Sequence, residues 1–474
     1  MLVFFAVCLP ALLGLVGLIV DGARLMALDT QLAAISDAGA IAAAKRLDRS
    51  DAAIPAARWA ALALINRPAL ADSMRKGPRI TFRFAARLAD LDRPGFSLPD
   101  GAGAEAAYVE TTTAETSLNT SFLQLVGART SPLRRSAIAE SQYYACDVTP
   151  ALLCNPDPVA FAATARPGRQ YLLRMDGNIF AGSIAMLSRT AHSDQRESLR
   201  DLASDAPAFC YSDGLALRRN VAPQEFDEAL NVRFDRYVNR NGGPIALDLA
   251  SQPPAPNVIQ GRHFESCFSP PGASSFNPPF PLPRDSSYNS FTPKGFWDQG
   301  IGDWKSTRAS TVLGGAAQTA LEEYLLWNHG DKGPNVQDRL RAASTRWDLY
   351  LAELGLTRAS ETTPVDTRSL GPSRVTMPSG GPLGSSSRDR AVPLCYLGNR
   401  PATAARRRVL YLGVTDCGGF PGSASPEVLS QRVAKFFLTE PSDLGITLAE
   451  FVQFIRPSDD DGKLRHVVQL VVTN

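Results

Sequence analysis

Hydrophobic positions along the chain fall into two regimes. Residues 2–20 form a run of 19 residues without a charge, which as a helix would reach roughly 28 Å, close to the hydrocarbon thickness of a bilayer. Beyond it, Leu25, Leu28, Leu32, Ile35, Gly39 and Ala42 follow at alternating steps of three and four, the period of one helix face. The pattern predicts one long helix that leaves the bilayer and continues past it. Its stripe shrinks to small side chains over residues 38–44, where another helix or sheet can pack closely. A second helix carrying Trp59, Leu62 and Ile65 is expected to end at Pro68, with ordinary core packing as the default role of both stripes.

After Pro68 the signals become short and strand-like. Residues 80–84, 108–113, 133–139, 171–175, 409–415 and 467–472 alternate or run apolar between turn residues. Helices are predicted near 311–327, 337–354 and 426–437. Two stretches read as long loops, a Pro-rich one at 253–283 and a Gly/Ser-rich one at 371–389. The fold class that follows is α+β: an N-terminal transmembrane helix continuing into a long helix, then a mixed, strand-rich extracytoplasmic region with helical insertions. The corresponding domains are an anchor and helical module at 1–66, a small strand-rich segment packing with the anchor helix at 67–145, and an α+β domain at 146–474.

The cysteines decide which side of the membrane this region occupies. Cys8 lies in the apolar run, which leaves Cys146, Cys154, Cys210, Cys267, Cys395 and Cys417, an even set expected to form disulfides in an oxidising compartment, the alternative being six buried free thiols in the cytosol. The simplest pairing joins sequence neighbours, 146 with 154, 210 with 267 and 395 with 417, although sequence alone leaves the connectivity open. Positive-inside counting points the other way, because Arg24, Lys45, Arg46 and Arg49 follow the span and no basic residue precedes it. The cysteine argument is given precedence here, on the expectation that a basic leader once preceded residue 2. A cleaved signal peptide is not expected, since the apolar run is long and Asp21 and Arg24 follow it with no small-residue cleavage site.

Composition and motifs narrow the function. With 49 Lys plus Arg against 47 Asp plus Glu, the formal charge of +2 supplies no field for polyanions, so nucleic acid is not an expected partner. No phosphate-binding Gly-rich loop, nucleophile elbow or H-E-x-x-H pair occurs. His192, His263, His329 and His466 lack zinc-site spacing, and no CxxC occurs. Asp459, Asp460 and Asp461 lack the ligand spacing of a calcium loop and read as a solvated turn. His329 has no sequence neighbour to act as nucleophile or carboxylate partner and reads as a helix-end residue beside Gly330. No catalytic residue, metal ligand, cofactor or small-molecule substrate is expected, and the chain reads as a non-enzyme.

Residues 20–25 (VDGARL), together with Leu32 and residues 37–44 (DAGAIAAA), resemble the N-terminal module of TadE/TadG-like proteins of Tad (Flp) pilus assembly. Residues 146–156, 229–237 (ALNVRFDRY), 327–330, 406–417 (RRRVLYLGVTDC) and 433–441 (VAKFFLTEP) are similar to TadG-type chains. Many such relatives carry a von Willebrand type A metal site of the form D-x-S-x-S; that string is missing here, so metal-dependent adhesion is not implied. The prepilin-like glycine before the span and glutamate after it are also missing, so processing as a minor pilin is not implied either. The resemblance implies an accessory protein of pilus assembly, single-pass in the bacterial inner membrane through residues 2–20. The bulk of the chain would lie in the periplasm and bind other assembly proteins. The alternative is a membrane-tethered surface adhesin or matrix-binding module, which the long Pro-rich and Gly/Ser-rich loops would suit.

Overall fold

The computed structural model describes residues 2–65, 79–116, 132–155, 158–175, 182–188, 195–204, 209–211, 216–218, 221–259, 282–288, 300–309, 317–329, 333–366, 393, 395–399, 402–415, 433–455 and 463–471, with side chains from Gly14 onward. The fold is α+β and divides into two compact units, Met1–Tyr143 with Arg465–Asn474, and Tyr144–Leu464.

The first unit is built on α1 (Leu2–Ala44) and α2 (Ala53–Ile65). An antiparallel sheet joins them, formed by β1 (Ile80–Ala85), β2 (Tyr108–Thr113) and β3 (Ser136–Cys146), with the C-terminal strand β16 (Leu464–Val471) beside β3. The predicted α1 stripe is largely the buried one: Leu28, Leu32, Ile35 and Gly39 are buried, and Leu25 and Ala42 are half-buried. At its end Ala40, Ala43, Ala44 and Leu47 meet Ala53, Ile54, Ala57 and Ala61, over Phe84, Val109, Ala137 and Ala139 of the sheet. Methyl-sized side chains at these positions let the two helix backbones approach closely.

The turn between the helices is fixed locally. Asp48 accepts from the backbone N–H (3.0 Å) and the hydroxyl (2.6 Å) of Ser50, while Arg49 adopts φ 64°. A Cβ on Gly103 would meet the Ser50 carbonyl at 2.3 Å, so only glycine fits where that loop crosses the turn. The opposite face of the sheet is polar, carrying the Arg83–Glu110 ion pair and Glu140, which accepts from Tyr108 (2.8 Å) and Gln469 (2.9 Å).

The second unit centres on a seven-stranded sheet. Its strands are β4 (Ala151–Cys154), β5 (Gln170–Arg174), β6 (Ile184–Ser188), β8 (Ala216–Arg218), β13 (Val409–Thr415), β14 (Val433–Leu438) and β15 (Ile446–Ile455), ordered β5-β15-β14-β13-β4-β6-β8. Within it β13 and β4 run parallel and the other pairs antiparallel. Successive residues alternate between two cores. Val409, Tyr411, Val433 and Phe437 face one with Leu321, Tyr324, Leu340, Trp347 and Tyr350; Leu410, Leu412, Ala434 and Phe436 face the other with Phe161, Leu199, Leu202, Phe226 and Leu230. Both faces are buried, which is why β13 and β14 read as continuous apolar runs. The remaining short strands are β7 (Cys210–Tyr211), paired with the end of β3, and the hairpins β9 (Thr307–Ala309) with β10 (Ala317–Thr319) and β11 (Pro364–Val365) with β12 (Thr403–Ala404).

Several expectations need correction. Among the described residues no helix is long and apolar enough to cross a membrane, so the expected transmembrane helix is not found there. From Gly14, where described side chains begin, the same helix carries Asp21, Arg24, Asp29 and Asp37. The part of the run at 2–13 has its side chains outside the described residues. The helix expected at 426–437 is strand β14 from Val433 onward, because a short apolar run buried on both faces has no period to distinguish it from a helix. The helix expected at 337–354 is two, Pro334–Arg341 and Arg346–Glu353, divided by a cap in which Asp348 N–H donates to Thr345 Oγ1 (3.1 Å) and Thr345 N–H to Asp348 Oδ2 (3.2 Å). Of the helix expected near 311–327, residues 311–316 lie outside the described residues, 317–319 are strand β10, and the helix runs Ala320–His329. Trp59 and Leu62 are 71% and 42% exposed, so the buried face of α2 is its alanines and Ile54 instead. The loop at 371–389 lies outside the described residues, as does most of 253–283.

A buried ionic knot ties the helix Arg346–Glu353 to the sheet. Glu450 on β15 accepts from the backbone N–H groups of Arg346 (3.0 Å) and Trp347 (2.9 Å) and from Arg346 Nη1 (3.0 Å), while Arg346 Nη2 donates to Asp285 at 2.5 Å. All three side chains are fully buried. Arg346→Ala would leave two buried carboxylates uncompensated and is expected to destabilise the second unit by about 3–5 kcal/mol, read from the denaturant midpoint of the full chain; a loss under about 1 kcal/mol would contradict this role.

Candidate functional site

The feature of the first unit that its own packing does not use is the outer face of α1. Gly17 and Asp21 are buried, as are Leu28 and Leu32. Between and around them Leu15, Val16, Leu18, Ile19, Val20 and Met26 are exposed, from 43% at Val20 to 75% at Met26. Scattered exposed leucines need no explanation, but six large apolar residues exposed on one helix segment form a contiguous apolar surface. Further along, Asp29 is held by a two-pronged contact from Arg135, Nε at 2.6 Å and Nη2 at 2.5 Å. This bond holds the Asp29 carboxyl below the usual carboxylate range and fixes the helix to the residue preceding β3.

The cysteines are placed by strand register. Cys146 at the end of β3 lies directly opposite Cys210 on β7, and the two are disulfide-bonded. Neighbour pairing therefore fails for Cys146 with Cys154 and for Cys210 with Cys267: a strand ladder brings together residues 64 positions apart in sequence. Cys154, on β4, and Cys395 are disulfide-bonded as well. Cys267 and Cys417 lie outside the described residues, and so do Asp459, Asp460 and Asp461.

His329 acquires the carboxylate that sequence reading could not find. Its Nε2 lies 2.9 Å from Glu353 Oε1, an atom that also accepts from the Tyr324 hydroxyl, while Asn257 Nδ2 donates to Oε2 at 2.7 Å. Glu353 is thus enclosed by donors with its side chain 2% exposed. Among the described residues no serine, threonine or cysteine side chain hydrogen-bonds the imidazole, so the cluster ties helix ends together without presenting a nucleophile.

The Asp227 carboxyl is pushed up to about 6 by burial. It accepts from Gly445 N–H at 2.9 Å and from the Ser442 hydroxyl, holding the turn between β14 and β15 where Leu444 and Gly445 take positive φ. The basic run at 406–408 is likewise internal. Arg407 donates to the Ala203 carbonyl (2.7 Å), and Arg408 donates to those of Leu438 and Thr439 (3.0 Å each) with its guanidinium 4.5 Å from the Phe234 ring centre. No group of three metal-ligating side chains occurs among the described residues.

Residues 1–46 match the family described as putative Flp pilus-assembly TadE/G-like, and this part of the chain is similar to that module. The match implies a part in Tad pilus assembly and an association with the cell envelope. It covers the whole exposed apolar segment of α1 and ends at the turn into α2. No match was found among curated proteins or among solved structures.

Removing the disulfide with Cys210→Ser frees a loop of 64 residues and is expected to lower the stability of the second unit by about 4 kcal/mol. Equilibrium denaturation of the oxidised wild type against the variant measures this, and equal midpoints would contradict it.

Proposed function

We propose that this chain is an accessory protein of Tad pilus assembly, held in the bacterial inner membrane by the apolar start of α1, which acts by binding other assembly proteins on the periplasmic side. The observation that carries the reading is that the TadE/G-like match and the exposed apolar face of α1 coincide over the same residues. In this reading residues 2–20 lie in lipid, and the helix from Asp21 onward leaves it to join the folded unit. The disulfide-bonded Cys146, Cys154, Cys210 and Cys395 support an oxidising compartment for the bulk of the chain. The two-sided core of the second unit and its internally paired charges support a rigid body that offers its surface to partners.

The reading makes two linked demands. A strain lacking the gene, with every other assembly component intact, is expected to form no pili under the electron microscope, and normal piliation would overturn the proposal. Replacing Leu12 and Leu13 together by Asp places two carboxylates near the middle of the proposed anchoring segment, at about 2.5–3.5 kcal/mol each. The variant is expected to leave the membrane fraction and fail to restore pili; sedimentation with membranes and full complementation would contradict the anchor.

A further inference from the structure

The inner face of the sheet in the first unit ends in a polar cluster. His466, on β16, stacks on Tyr143 of β3 with ring centres 4.4 Å apart and planes 9° from parallel. Its Nε2 lies 2.8 Å from the Ser141 hydroxyl oxygen, which is itself 3.2 Å from the Leu47 carbonyl at the end of the α1 region. The Tyr143 hydroxyl donates to the same carbonyl at 2.7 Å. Ser141 has one proton to give, so the arrangement that satisfies every group sends it to Leu47 and lets Nε2–H donate to the hydroxyl oxygen, which the neutral Nε2–H tautomer does. His466 therefore ties β16 to β3 and, through Ser141, to the turn after α1.

The charged groups around this ring oppose a second proton. Lys45, Asp48 and Arg49 face it from the turn, Tyr143 from β3, and Arg465 precedes it on its own strand. Asp48 is the one carboxylate among them, and its Oδ1 already accepts twice from Ser50. Arg49 sits 5.9 Å from the centre of the Tyr143 ring on which the imidazole stacks. A protonated imidazole would compete with that guanidinium for the same aromatic ring. On the polar side of the sheet, Gln469 donates to Glu140 and supplies a second, uncharged tether for the strand.

We propose that His466 is a proton-operated latch that keeps β16 seated in the sheet of the first unit while the ring is neutral and loosens that strand when the ring takes up a proton. Burial, Arg49 and Lys45 hold the seated imidazole below the ordinary histidine range, with Asp48 opposing them. An unseated strand leaves His466 in water, where it titrates near 6.5. The sign follows from linkage. Above that value neither state binds the proton and the strand has its full stability; as pH falls below it the unseated state takes up the proton first, and stability is lost until the seated ring titrates as well.

The test is amide hydrogen exchange of the full-length chain at about pH 8 and about pH 5, corrected for intrinsic exchange rates. Protection over 464–471 is expected to fall several-fold at the lower pH in the wild type, while strands β1 and β2 change little. His466→Gln, whose amide can still donate to Ser141 but does not titrate, is expected to keep the same protection at both. Arg49→Gln, which lessens the opposition to the proton in the seated state, is expected to shrink the pH effect, and it provides the reading should His466→Gln loosen the strand at every pH. Wild-type protection that does not change with pH, His466→Gln protection that falls as the wild type does, or an undiminished effect in Arg49→Gln would each overturn the proposal.

Discussion

The close approach of α1 to α2 and the sheet, made through alanine and glycine side chains, is the constraint on which the first unit rests. Ala40, Ala43 and Ala44 against Ala53, Ala57 and Ala61 leave room for backbone and little else, so a larger residue at the seam would push the helices apart. Nearer the start of the helix the large side chains Leu15, Val16, Leu18, Ile19 and Val20 are exposed instead. One helix thus serves two environments. Its C-terminal half is a component of a folded core, whereas nearer its start the described Leu15, Val16, Leu18, Ile19 and Val20 are exposed.

The second unit solves a different problem, that of burying cations inside a two-sided sheet. Arg346 is met by Glu450 and Asp285, Arg284 by Glu440 and Lys435 by Glu361, whereas Arg407 and Arg408 are met by carbonyl oxygens and aromatic rings. A buried charge is tolerated only when paired or hydrogen-bonded in this way. Such networks specify one arrangement of strands and loops more than they add stability. Asp227 and Glu353 are likewise held by donors, Asp227 by Ser442 and Gly445 and Glu353 by Tyr324, His329 and Asn257.

Much of this was legible in the sequence where a pattern is local. The stripe through Leu28, Leu32 and Ile35 is the buried face of α1, and residues 108–113 and 409–415 are strands over the expected bounds. What escaped is whatever depends on partners distant in the chain. Trp59 looks like core by size, yet alanines occupy the seam that would hold it. VAKFFL continues an apparent helical pattern, yet neighbours on both sides make it a strand. Cys146 bonds to a cysteine chosen by ladder register. Glu353 reaches His329 from a helix whose start, the Thr345–Asp348 cap, carries a recognisable signal that a continuous apolar pattern had masked. His466 had no motif at all, since its partners Ser141 and Tyr143 lie more than three hundred positions earlier.

The account stands on the bulk of the chain being folded outside the cytoplasm behind an N-terminal anchor. The most direct measurement is alkylation of the native protein in intact cells with a membrane-impermeant thiol reagent, applied with and without prior reduction. The account predicts that Cys146, Cys154, Cys210 and Cys395 are unreactive until a reductant is added and then become labelled without lysis. Cysteines that remain unlabelled in intact cells after reduction, and that react as free thiols once the cells are opened without reductant, would place this region in the cytosol and contradict it.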